Sequence, residues 1–183
     1  IVRFTDLSGD RNPLHYDEEG GHLVRRRHFE IDIEGELTSI DELVGERQPD
    51  LLLLNDGDLT YAKIRLDERS LSTVVHGLRK LDDSLARALC WGATWDMTRD
   101  AEMAASDYVT LVLQNIGSET DSFGIRAIPN YASIAVNLYS DPAKRPELRA
   151  GWEAGLHDLL HGAEPGSNSQ LIFARLYAAA LVS

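Results

Sequence analysis

Leu51-Leu52-Leu53-Leu54-Asn55-Asp56-Gly57-Asp58-Leu59-Thr60-Tyr61-Ala62-Lys63-Ile64-Arg65-Leu66-Asp67 is the stretch where the hydrophobic period of the chain changes. Within it, Leu51 to Leu54 is a short continuous apolar run, as expected of a strand covered on both faces. Ala62, Ile64 and Leu66 alternate with Tyr61, Lys63 and Arg65, and Asn55-Asp56-Gly57-Asp58 lies between the two runs. Strand, Asp-Gly turn, strand predicts a hairpin, because Gly57 has no Cβ to oppose a positive φ. Upstream, Phe29, Ile31 and Ile33 alternate with Glu30, Asp32 and Glu34, which predicts a half-buried strand. Asn12-Pro13 and Gly20-Gly21 punctuate the first residues, and Arg25-Arg26-Arg27 reads as a solvated strand edge. Residues 1–67 are therefore expected to be β-rich.

Downstream of Asp67 the period becomes 3.6. Leu71, Val74, Val75 and Leu78 fall on one helical face. Leu81, Leu85, Ala88, Leu89, Gly92 and Trp95 continue down a second helix. Tyr108, Leu111, Val112 and Ile116 mark a third, with Ser106 as its expected N-cap. A fourth is expected over about 122–139, kinked or split at Pro129, whose ring removes a donor and clashes one turn back. A fifth follows Pro146 and stops at Gly162 and Pro165, and a sixth opens with a capping box, Ser167-Asn168-Ser169-Gln170. The connections are short, so successive helices should be antiparallel neighbours and stack as pairs. The expected fold of residues 68–183 is all-α, repeat-like in architecture (a helical-pair solenoid), without a residue-level repeat.

The 183 residues carry 30 acidic and 18 basic side chains, a net charge of −12. That balance argues against a nucleic-acid partner, whose phosphates need a basic footprint, and against an anionic membrane surface. No apolar run reaches the length of a membrane span, so no membrane insertion is expected. No signal peptide is read at the start, where Arg3 and Asp6 interrupt the first residues, and the expected location is cytoplasmic. The chain begins at Ile1 and stops within a helix-like pattern, and both ends read as cuts in a longer protein. The single cysteine, Cys90, lies between Leu89 and Trp91 and reads as a small buried hydrophobe.

Chemistry-bearing patterns are few. His157-Asp158-Leu159-Leu160-His161 places two imidazoles on one helix face, the spacing that lets both reach one metal. The zinc-hydrolase form is H-E-x-x-H, with Glu as general base. Here Asp158 holds that position and no third ligand follows, so the pair reads as partly exposed histidines near a helix C-terminus. Asp56 and Asp58 lack the remaining ligands of a calcium loop. No nucleophile elbow and no phosphate-binding glycine loop occurs. Asp82-Asp83 and Arg99-Asp100 read as helix-terminal charges, and Trp91, Trp95 and Trp152 as fillers of helix contacts. No catalytic, cofactor-binding or metal residue is expected within the chain.

Residues 51–67 resemble a junction sequence of the bacterial aminopeptidase N family. Asp83-Ser84-Leu85-Ala86-Arg87-Ala88-Leu89-Cys90-Trp91 and Trp95-Asp96-Met97-Thr98-Arg99-Asp100-Ala101-Glu102-Met103 resemble the first helices beyond it. The resemblance implies a β-sandwich-like domain over 1–67, then the proximal part of a C-terminal helical domain over 68–183. It also implies a parent gluzincin metallopeptidase that removes N-terminal residues from peptides with one zinc ion. In that family the H-E-x-x-H helix, the third zinc ligand and the G-x-M-E-N motif lie upstream, and neither motif occurs in this chain. The partners implied are the catalytic domain of the same chain and peptide substrates, which the helical domain encloses. Two other readings remain: a helical-repeat module binding a protein or peptide on a concave face, and a small metalloprotein using His157 and His161.

Overall fold

The structure is a computed structural model that describes residues 16–26, 37–120 and 122–182. The strand expected at 29–33 lies outside the described residues. The chain divides into two compact units, 1–93 and 94–183, and the division falls inside one helix.

In the first unit, β1 (Tyr16–Glu19) and β2 (His22–Arg25) pair antiparallel, with Glu19 opposite His22. Gly20 and Gly21, at φ of 59° and 88°, form the two-residue loop, the positive-φ pair that matches strand twist. Leu23 is buried and bridges Leu81 in parallel. Arg25 pairs with Asp56 at 3.0 Å and Arg26 with Glu19, so these two arginines sit ion-paired on a solvated edge.

The hairpin expected over 51–66 does not form as a ladder. Leu51 carries an isolated bridge, and 61–67 run without strand pairing. The turn is present: Asn55, Gly57 and Asp58 all have positive φ. Its neck, however, is closed by a side chain. The Asn55 amide donates to the Thr60 carbonyl at 2.6 Å and accepts from the Thr60 N–H at 2.8 Å, the exchange that a paired strand residue would have made. Leu51, Leu52 and Leu53 are still buried, because another partner satisfies the backbone there. The Leu52 N–H donates to Ser70 Oγ at 2.8 Å, and Ser70 Oγ–H donates to Asp67 Oδ2 at 2.6 Å.

That same Asp67 starts the first helix. It caps α1 (Glu68–Gly77) by accepting the Ser70 N–H at 3.1 Å, and it also accepts from Gln48 Nε2 at 2.9 Å. A 3₁₀ turn, Leu78–Lys80, follows. Asp83 then caps α2 (Ser84–Arg99) by accepting from the N–H groups of Leu85 and Ala86.

In the second unit, α2 ends in a Schellman motif with Ala101 in the left-handed region at φ 61°. The Glu102 N–H reaches the Met97 carbonyl at 2.8 Å, and the Ala101 N–H reaches Thr98 at 3.3 Å. α3 spans Ala105–Asn115, and its N-cap is Ala104, which makes no side-chain cap. Ser106 lies two residues too late for the expected role and is exposed. Met103 and Tyr108, both buried, occupy the N′ and N4 positions of a hydrophobic staple, which fixes the helix start without a polar cap.

α4 (Ser122–Ile134) runs through Pro129 without splitting, and Ser133 Oγ donates to the Pro129 carbonyl at 3.1 Å. Beyond α4, Ala135–Tyr139 widen into a π-helical turn. α5 (Arg145–Gly162) carries Pro146 in its first turn, where no intrahelical N–H is missed. α6 (Asn168–Ala180) has the expected box: Ser167 Oγ accepts the Gln170 N–H at 3.1 Å. Gln170 Oε1 reaches back to the Gly166 N–H at 2.8 Å. α3 packs on α4 and α5, α5 on α6, and α4 on α6, so two helical pairs stack like on like. Trp152, Leu156, Leu111 and Phe173 are buried in this stack. α5 comes so close to α3 at Gly155 that a Cβ there would overlap the Leu113 methyls.

Candidate functional site

A cleft of about 570 Å³ in the second unit is bordered by α3, α5 and α6. Leu113, Leu159 and Phe173 give it an apolar wall, and Gly117, Gly155 and Gly162 leave the space. Asp158 and Glu164 set carboxylates at its edge, beside Ser167 of the α6 cap. Glycines within apolar helical patterns were the only trace of this cleft in the sequence, since nothing in one-dimensional spacing shows which helices converge.

The His157–His161 pair lies on α5. The ring centroids are 4.1 Å apart with planes tilted by 35°, and Tyr177 of α6 stands edge-on to His157 at 5.6 Å. His161 Nδ1 is 2.8 Å from the His157 carbonyl, and His157 Nδ1 is 3.4 Å from Asp158 Oδ1. Asp158 is thus within reach of the His157 ring and is exposed. Among the described residues, no group of three or more His, Cys, Asp or Glu side chains could hold a metal ion together. No catalytic step is assigned to these residues.

An aromatic cluster occupies the start of the second unit. Trp95 stacks on Tyr131 at 4.6 Å and 8°, touches Tyr108 at 5.4 Å, and meets Tyr139 edge-on at 6.0 Å. Tyr139 is the last residue of the π-helical turn. Tyr108 is fully buried, and its hydroxyl has no hydrogen-bond partner among the described residues. Burial first, and the nearby Tyr131 second, push its acidity far out of the physiological range. Trp91 and Trp152 are buried, as expected of packing residues.

The remaining candidates have structural environments. Cys90 is fully buried and its thiol is pushed up from 9.0 to about 12, chiefly by burial and then by the Asp56 charge, which leaves no nucleophilic thiolate at neutral pH. Asp56 faces Arg25, Asp58 accepts from Asn55 Nδ2 at 3.3 Å, and Asp82 lies 3.3 Å from His22. Arg99 pairs with Asp96 one turn back at 3.6 Å.

No helix of the described residues is long and apolar enough to cross a membrane. Residues 51–183 match the ERAP1-like C-terminal domain. Aminopeptidase N of Streptomyces lividans is 47% identical over 165 residues, which are 90% of this chain but 19% of that protein. The chain therefore spans a small part of the length of that relative. The likeness drawn from residues 51–67 and 83–103 extends over most of the sequence, and the chain belongs to the ERAP1-like C-terminal domain family as a C-terminal region of the bacterial aminopeptidase N type.

Proposed function

We propose that this chain is the non-catalytic C-terminal region of a zinc-dependent aminopeptidase that removes N-terminal residues from peptides, and that its helices scaffold and enclose the substrate cavity. The supporting observation is 47% identity to an aminopeptidase N across 90% of the chain, in a sequence that lacks both H-E-x-x-H and G-x-M-E-N. Zinc, general base and amine-recognition groups then belong to the catalytic domain of the parent, which is the first partner of this region. Peptide substrates are the second, and the cytoplasm is the proposed location. The β-sandwich assignment for 1–67 and the helical-domain assignment for 68–183 stand as part of the proposal, supported by the Asp67 cap that opens α1. Rigid stacked helix pairs suit enclosure: they present wide surfaces without needing mobile loops.

Two measurements test this. The chain alone is expected to give no zinc-dependent hydrolysis of aminoacyl anilides, and measurable turnover would sink the proposal. In the parent enzyme, removing this region while keeping the protein soluble is expected to change kcat/KM for long peptides more than for aminoacyl anilides. Equal effects on both substrate types would remove the enclosing role.

A further inference from the structure

Two histidines one turn apart are the smallest chelate an α-helix offers, and their usefulness depends on which ring nitrogens are free. The His157 carbonyl oxygen can only accept, so His161 Nδ1, 2.8 Å away, carries the proton there. An ionised Asp158 is likewise only an acceptor toward His157 Nδ1 at 3.4 Å. Both contacts engage Nδ1, so Nε2 is the nitrogen that each ring can offer to a metal. A carboxylate on one ring and a backbone carbonyl on the other are the outer partners that orient metal-bound histidines and raise their basicity. Tyr177 stands edge-on to His157 at 5.6 Å. The rings already lie 4.1 Å apart and are reachable from solvent, with half of the His157 side chain exposed.

We propose that His157 and His161 form a binding site for an exchangeable divalent transition-metal ion, held through their two Nε2 atoms with water at the other positions. Imidazole pairs suit Cu²⁺, Ni²⁺ and Zn²⁺, with Cu²⁺ bound best, whereas Ca²⁺ and Mg²⁺ demand oxygen ligands. The exposed Asp158 and the net charge of −12 add a field that favours a cation. With two protein ligands and no base poised on a bound water, the site binds metal and does not hydrolyse peptides. Binding there ties two turns of α5 together beside α6 and stabilises the folded state by mass action.

The test is a titration of the tag-free chain with CuCl₂ in a non-chelating buffer, read by calorimetry and electron paramagnetic resonance. One equivalent is expected to bind with two imidazole nitrogens in the equatorial plane. His157→Gln and His161→Gln should each weaken it at least tenfold, while metal-free circular dichroism melts stay unchanged because both rings are exposed. Asp158→Asn should weaken it severalfold through the His157 ring, and Mg²⁺ in excess should not compete. Affinity within twofold of the parent in both histidine variants, or a spectrum with a single imidazole nitrogen, overturns the site.

Discussion

The described residues of both units bury apolar side chains, and the two hold their backbones in different ways. In the second, helix hydrogen bonds satisfy the chain locally, and side chains only have to interdigitate, as Trp152, Leu156 and Phe173 do. In the first, the described residues between β2 and α1 are mostly irregular, and specific polar side chains stand in for a ladder. Asp67 and Ser70 anchor Leu52, and Asn55 clamps Thr60. The first unit is therefore expected to depend on a few side-chain hydrogen bonds that the second does not need. Substitutions of opposite character should expose this.

The largest effect is expected from volume. Trp152 is 2% exposed in the stack of α3, α5 and α6. Trp152→Ala should cost about 3–5 kcal/mol in denaturant unfolding followed by circular dichroism. A cost below about 1 kcal/mol would show that the helical stack is loosely packed. Next comes Ser70→Ala, which removes only one oxygen from a fully buried position. It strands the Leu52 N–H and takes a donor from Asp67, so about 1–3 kcal/mol is expected. If Ser70→Ala is neutral while Ser70→Thr is not, packing rather than hydrogen bonding rules this unit too, and the contrast fails.

The same contrast explains what the sequence could disclose. Helical periodicity is a repeated signal, so α1 to α6 could be read from residues such as Val74, Leu111 and Leu156, and the Ser167–Gln170 box from its own letters. The 51–66 segment had strand-like alternation, but alternation reports only which side chains are buried. It does not report whether a neighbouring backbone or a side-chain amide takes the hydrogen bonds, and here Asn55 and Ser70 took them. Ser106 misled for a related reason: capping residues are favoured, yet a hydrophobic staple at Met103 and Tyr108 fixed the helix two residues earlier. The His157–His161 spacing was visible in the sequence. Which ring nitrogens were engaged was not, because that depends on rotamers and on Asp158.

A third prediction uses Cys90 to watch the first unit. Its thiol is pushed from 9.0 up to about 12, so the unfolded chain releases this proton at lower pH than the folded one. The stabilising contribution is complete below pH 9.0 and is lost as pH rises toward 12, by about 1.4 kcal/mol for each unit once above the unfolded value. Cys90→Ala removes the group and should flatten this alkaline loss, leaving a gap between the two proteins that narrows above pH 9.0. A parallel decline in both would mean that the thiol is not held neutral. Thiol-reagent labelling supplies the kinetic counterpart: the native protein should label only through opening of the first unit, and Ser70→Ala should speed that labelling.

The smallest effect is the most discriminating. Tyr108 brings a hydroxyl into the helical unit without a partner among the described residues, against the rule that buried polar groups are bonded. If volume is what the second unit needs, the ring matters and the oxygen does not. Tyr108→Phe keeps the contact with Trp95 at 5.4 Å and removes an unsatisfied group. It should therefore leave stability unchanged or raise it by up to about 1 kcal/mol, because deleting an unpaired polar atom recovers its desolvation cost. Tyr108→Leu, which loses the ring, should destabilise by more than Tyr108→Phe gains. A loss of more than about 1 kcal/mol in Tyr108→Phe would instead reveal a hydrogen bond made through an internal water, whose net worth is of that size. The helical unit would then depend on a buried polar link as the first unit does on Ser70, and the difference between the two would be one of degree.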